Sequence, residues 1–164
     1  GPNMGHLEVL QEGTKGLSYI NVGDMDLGQR LARKLVQVFK GRQACVLIKH
    51  EMPSGVALGD DPVETFEKAW KCDPLSNFGS VDIFSYRVTE PLARLLVESP
   101  RNVEVVYAPD FAPEALALLA ARKVLRVVKM GAPLDAPSTD NGLEVKRVAG
   151  GLLVLELQAD VARA

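Results

Sequence analysis

Metal-binding and disulfide chemistry have little to build on in this chain, whose 164 residues include only two cysteines and two histidines. Cys45 sits inside an apolar run and Cys72 near a predicted helix end, so the pair makes neither a disulfide framework nor a metal cluster. A reducing cytoplasm is the expected setting. Excess charge is lacking too: the formal net charge is −2, with both signs interspersed, which excludes the basic footprint of a nucleic-acid binder. No apolar run approaches membrane-spanning length and no signal-peptide pattern is present, so no membrane partner is expected. No Gly-x-Gly-x-x-Gly follows a strand, and no Gly-x-x-x-x-Gly-Lys-Ser/Thr occurs, so neither dinucleotide nor P-loop binding is supported. Ser54 lacks a nucleophile-elbow context, and the His/Cys-plus-Glu and Pro-Cys-x-x-Cys signatures of zinc deaminases are missing. No metal is expected.

What the chain does have is enough apolar residue, 47%, to bury one sizeable core at a length too short for two ordinary domains. Residues 4–164 are therefore expected to form a single α/β subdomain, with Gly1, Pro2 and Asn3 read as a tag remnant (1–3) ahead of Met4. Residues 44–48 are an unbroken apolar run that reads as a central strand buried on both faces, as in a parallel sheet. The run ends at Lys49 and His50 and is followed by Pro53, Gly55 and Gly59, which reads as a loop. In open α/β sheets ligands collect beyond the carboxyl ends of the strands, so Lys49 and His50 are the candidate chemical groups, although a Lys-His pair at a strand end is by itself more often a solvated loop start. His6 lies beside the expected tag remnant, which leaves His50 as the candidate imidazole.

Elsewhere the pattern alternates. Residues 17–24 read as a loop, with Asp24 capping a helix whose stripe is Leu27, Leu31, Leu35 and Val38. Asp61 and Pro62 open a helix to about residue 71, with Phe66, Ala69 and Trp70 apolar. A turn-rich loop at 74–79 precedes a strand at 81–86, and Thr89 caps a helix to about 99. Strands at 103–108 and 124–128 flank a helix opened by Pro113, and residues 143–148 and 152–157 flank Ala149-Gly150-Gly151 as a hairpin. The fold class is a three-layer α/β/α sandwich whose mixed sheet is mostly parallel, with an antiparallel edge. The arginines near Arg122 and Arg126 read as a solvated face.

Several ordered blocks together resemble one family, the AICAR transformylase portion of the bifunctional purine-biosynthesis enzyme. Leu17-Ser18-Tyr19-Ile20-Asn21 with Asp24 is similar to its Leu-Ser-Tyr-Asn-Asn stretch. Lys49-His50-x-x-Pro53-x-Gly55-Val56-Ala57 is similar to its Lys-His-x-x-Pro-x-Gly-Val-Ala. Further blocks are Cys72-Asp73-Pro74-Leu75-Ser76-Asn77-Phe78-Gly79, Ala108-Pro109-Asp110-Phe111 with Pro113-Glu114-Ala115-Leu116, and Gly150-Gly151-Leu152-Leu153-Val154. The family's Arg-Tyr-Gly-x-Asn-Pro-His segment is not found ahead of Leu7.

The resemblance implies a cytidine-deaminase-like sandwich without zinc, of which this chain is the first of two subdomains. It implies transfer of a formyl group from the co-substrate 10-formyltetrahydrofolate to the amine of the AICAR ribotide. By position it makes His50 the proton acceptor and Lys49 the transition-state-stabilising lysine, and it makes Asn21, Gly79 and Glu104 ribotide contacts, Glu104 standing where the family has Asp. The implied partner is the missing second subdomain, as a separate chain or a second copy. A non-catalytic nucleotide-binding or scaffolding module that keeps the fold is the alternative. Read without the resemblance, Asn21 stabilises its own turn, Gly79 closes one, and Glu104 is a solvated strand position.

Overall fold

The structure, a computed structural model, describes residues 7–98, 100–132, 134 and 143–156. Its first helix shows how local chemistry sets an element. Ser18 is the N-cap: its hydroxyl accepts from the Asn21 backbone N–H while Asn21 Oδ1 accepts from the Ser18 backbone N–H, a reciprocal box that satisfies two orphan donors. Helix α1 (Tyr19–Val38) therefore starts five residues before Asp24, which lies inside it and is buried. Asp61 accepts from the N–H groups of Val63 and Glu64, and Pro62 takes the first position of α2 (Pro62–Cys72). Helices α3 (Glu90–Glu98) and α4 (Pro113–Ala120) complete the helical set among the described residues.

Strands β1 (Glu8–Gln11), β2 (Gln43–Lys49), β3 (Met52–Gly59), β4 (Ser80–Phe84), β5 (Val103–Ala108) and β6 (Arg126–Lys129) form one sheet in the order β1-β6-β5-β4-β2-β3. β7 (Leu143–Val148) and β8 (Gly151–Glu156) pair separately as a hairpin, as the sequence predicts. Residues 1–3, read as a tag remnant, lie outside the described residues.

Two further expectations are corrected. The sheet is mixed and more antiparallel than parallel: β4-β5 and β5-β6 run parallel, whereas β1-β6, β4-β2 and β2-β3 run antiparallel. β2 is buried on both faces as expected, but both its neighbours oppose it. The second correction is residues 52–59, an edge strand rather than a loop. An edge strand tolerates Pro53, which need not donate to a ladder on its open side. Gly55 is required for a different reason. α2 crosses β3 so closely that a Cβ at this position would run into the Ala69 carbonyl oxygen.

Helices cover both faces, which gives the three layers. Cys45, Leu47 and Phe84 pack with Phe66 of α2, Leu92 of α3 and Leu119 of α4 on one side. Val46, Ile48, Ile83 and Tyr107 pack with Met25 and Ala32 of α1 on the other, where Gly28 brings the helix down onto Ile83.

Candidate active site

The end of β2 and the start of β3 are joined by two residues, His50 and Glu51, with Lys49 paired across to Met52. Both loop residues have positive φ, 52° and 60°, as a two-residue hairpin of this twist requires. Asn and Gly usually occupy such positions; His tolerates the left-handed region better than most residues, and Glu carries a cost of about 1 to 3 kcal/mol there. α1 offsets that cost. Asp24 Oδ1 accepts from the Glu51 backbone N–H at 2.6 Å and the carboxylate also draws on the His50 N–H, while the Glu51 side chain lies against Gly23. Burial raises the Asp24 carboxyl above the usual range, and those two backbone donors pull against the rise. His50 itself is exposed.

The second wall is the 73–79 loop. Asp73 accepts from the Ser76 N–H and hydroxyl, which hold its carboxyl below the usual range, and buried Asn77 donates to the Trp70 carbonyl oxygen. Gly79, at φ 82°, donates to the Asn102 carbonyl oxygen at 2.6 Å. Lys49 Nζ donates to the Phe78 carbonyl oxygen, which leaves the ammonium two further N–H donors. A Cβ at Gly79 would lie 3.3 Å from Lys49 Nζ and 3.4 Å from Glu104 Oε1. Gly79 is thus a floor of bare backbone between an ammonium and a carboxylate. Glu104 Oε2 in turn faces Arg126 at 3.6 Å.

The fold therefore gathers Lys49, Gly79 and Glu104, with His50 in the adjoining turn. Asn21 lies on the same first stretch of α1 as Gly23 and Asp24, but its Oδ1 is committed to Ser18. The gathering sits at the carboxyl end of β2. Because β2 opposes β4, that is the amino end of the parallel trio β4, β5 and β6, not the carboxyl end that a parallel sheet would offer.

Two residues here escape the sequence reading. Arg126, which the sequence places on a solvated face, is only 7% exposed, bonded to Gly16 and facing Glu104. Asp82 is fully buried in β4, just beyond Gly79 and Ser80, with one carboxylate oxygen taking the Ser80 hydroxyl at 2.5 Å and the other without a partner. The signal for both was a charge set within an apolar run, Leu125-Arg126-Val127-Val128 and Val81-Asp82-Ile83-Phe84. Among the described residues no three His, Cys, Asp or Glu side chains are grouped to hold a metal ion, and no helix is long and apolar enough to cross a membrane.

Compared with known proteins, the sequence matches the model of the AICARFT/IMPCHase bienzyme family over residues 2–163. Among solved structures, the chain superposes with a TM-score of 0.53 and 12% identity on a protein described as a formate dehydrogenase accessory protein from Desulfotalea psychrophila, covering 80% of this chain and 55% of that one. A second likeness, at TM-score 0.49 and 12% identity, is to the apo form of a dCMP deaminase from the cyanophage S-TIM5, over 63% of this chain and 94% of that one. The chain spans about half the length of the accessory protein, and that likeness is one of fold alone.

Proposed function

We propose, from the premise that the chain belongs to the AICARFT/IMPCHase bienzyme family, that it supplies the first subdomain of an AICAR formyltransferase. The observation that carries this reading is the convergence of Lys49 Nζ and Glu104 Oε1 on Gly79 beside the His50 turn. The reaction moves a formyl group from 10-formyltetrahydrofolate to the ribotide's amine. That amine is a poor nucleophile because its lone pair is delocalised into a ring bearing a carboxamide, so removal of its proton during attack lowers the barrier. His50, exposed at the tip of a clamped turn, serves as the proton acceptor, imidazole being the side chain most often used as a general base. Lys49, steadied by the Phe78 carbonyl oxygen, offers its remaining donors to the oxyanion of the tetrahedral intermediate. Gly79 and Glu104 receive the ribotide. The exposed free thiol of Cys72 supports a reducing, cytoplasmic setting.

Gly79 tests the placement of the ribotide. A Gly79→Ala chain meets a left-handed backbone cost of about 1 to 2 kcal/mol and puts a methyl group between Lys49 and Glu104. Calorimetric titration with the ribotide should show binding weakened at least about tenfold, a change worth about 1.4 kcal/mol. Undiminished affinity in a folded variant would place the ligand elsewhere.

The partner is the second subdomain, as another polypeptide or a second copy. The supporting observation is the β7–β8 hairpin, which exposes Val145, Val148, Leu152, Leu153, Val154 and Leu155 on its two faces. A lone two-stranded ribbon is marginal in water, and apolar surface of this kind is usually covered. Sedimentation velocity should show association that grows with concentration and weakens on Leu152→Asp with Val154→Asp, two neighbours on one face. A monomer at every concentration, unaffected by the added second subdomain, would count against this partner.

A non-catalytic nucleotide-binding module is the second reading, favoured by one observation: Asn21, an expected ribotide contact, spends its carbonyl oxygen on the helix cap. Formyl transfer measured with the second subdomain present separates the two.

A further inference from the structure

The end of β1 and the loop that leads from it into α1 are fastened to the turn that starts β6. Gln11 Nε2 donates to the carbonyl oxygens of Arg122 and Leu125 at 2.8 and 2.7 Å. Gly13, at φ 67°, passes so close that a Cβ would lie 2.7 Å from the Val124 carbonyl oxygen. Arg126 adds a bond from its Nε to the Gly16 carbonyl oxygen at 2.8 Å. Unlike the other two, Arg126 also reaches the candidate site, where its Nη1 lies 3.6 Å from Glu104 Oε2. The Glu104 carboxylate is thereby divided: one oxygen faces the guanidinium and the other faces the Gly79 floor opposite Lys49.

We propose that Arg126 is a positioning residue, one guanidinium that sets both the loop entering α1 and the direction in which Glu104 presents its free oxygen to the ligand. The first half acts at a distance. Gly16 lies two residues before the Ser18 cap, and the stretch of helix that follows carries Gly23 and Asp24, which clamp the His50–Glu51 turn. The second half acts on recognition. A carboxylate oxygen held this way selects a ligand group that donates a hydrogen bond, a hydroxyl or an amine N–H. The planar fork of Arg serves two partners at once from fixed directions, which the single nitrogen of Lys does not. Arg126 is almost fully buried, so the pair is screened less than a surface ion pair. The ligand part of this inference rests on the ribotide reading above; the loop part does not.

Hydrogen exchange of the ligand-free chain comes first. Amides of residues 16–24 should exchange at least about tenfold faster in Arg126→Met while those of α3 keep their rates. Arg126→Lys should restore those rates incompletely. Unchanged exchange in Arg126→Met, or full restoration by Arg126→Lys, overturns the loop part. Calorimetric titration with the ribotide follows on wild type, Glu104→Gln, Arg126→Met and the double variant. Each single change should weaken binding about tenfold, and the double variant no further, because Arg126 acts through Glu104. An additive loss of about a hundredfold would overturn that coupling. Failure of the wild-type chain to bind ribotide would overturn the ligand part together with the functional reading, and the exchange rates alone would then decide the loop part.

Discussion

Replacing His50 by Ala should lower formyl transfer, assayed with the second subdomain present, by about two to four orders of magnitude, the usual contribution of a positioned general base. Ribotide affinity should fall far less, because the ammonium of Lys49, the Gly79 floor and the Glu104 carboxylate remain in place. One complication is built into the fold: His50 has φ 52°, and Ala is less at ease there than His. His50→Asn is the control. Asn adopts the left-handed region readily and keeps the turn, yet it has no basic nitrogen. Both variants should lose transfer to a similar extent. If Asn retains wild-type turnover, His50 serves only the turn, and the proton acceptor is another group.

The wild-type chain should become less stable as pH rises from about 4 to about 7, and Asp82→Asn should remove most of that loss. Burial pushes the Asp82 carboxyl from 3.8 up to about 7, against the Ser80 hydroxyl and the positive charge of Arg101, which favour the ionised form. The sign follows from linkage. Below the unfolded value the acid is neutral in both states and folding carries no penalty; above it the unfolded chain releases a proton that the folded chain keeps, so the balance moves toward unfolding until the folded acid also ionises. A rise of about three pH units at about 1.4 kcal/mol each caps the effect at roughly 4 kcal/mol. Asp24 adds in the same direction, while Asp73 and Asp110, whose carboxyls are held below the usual range, oppose it from exposed positions where screening is strong. Urea denaturation at pH 4.5, 6 and 8 checks this. Parallel pH dependence in wild type and Asp82→Asn would show that Asp82 is not the group responsible.

Asp82 also shows why a buried charge is hard to see in a sequence. Its place in an apolar run is visible, but an alternating strand with one wet face has the same look. The difference is whether a helix layer lies over that face. Here the α2–α3–α4 layer does, on the side where Phe84 packs. The burial of Arg126 is hidden in the sequence for a related cause. Its partners, Gly16 and Glu104, come from segments 110 and 22 residues away in the chain, and a long cation with no neighbour in view reads as a solvated one.

The sequence by itself determined what depends on one element and its immediate flanks. The apolar run of β2 is long enough and continuous enough to be buried on both faces. The Asp61-Pro62 opening of α2 acts over three residues, and the hairpin about residues 149–150 is set by a local turn. The adjacency of Lys49 and His50 is covalent. Tertiary structure alone decided the directions of the strands and what lies across them. A run of apolar residues buries equally well between parallel or opposed neighbours, so β2 carried no mark of its antiparallel setting, and the site moved to the amino ends of β4, β5 and β6. Pro53 and Gly55 have the composition of a loop. They belong to a strand because Pro53 falls on a sheet edge and because α2 comes close enough to exclude any side chain at Gly55, and both conditions arise only when distant segments pack together.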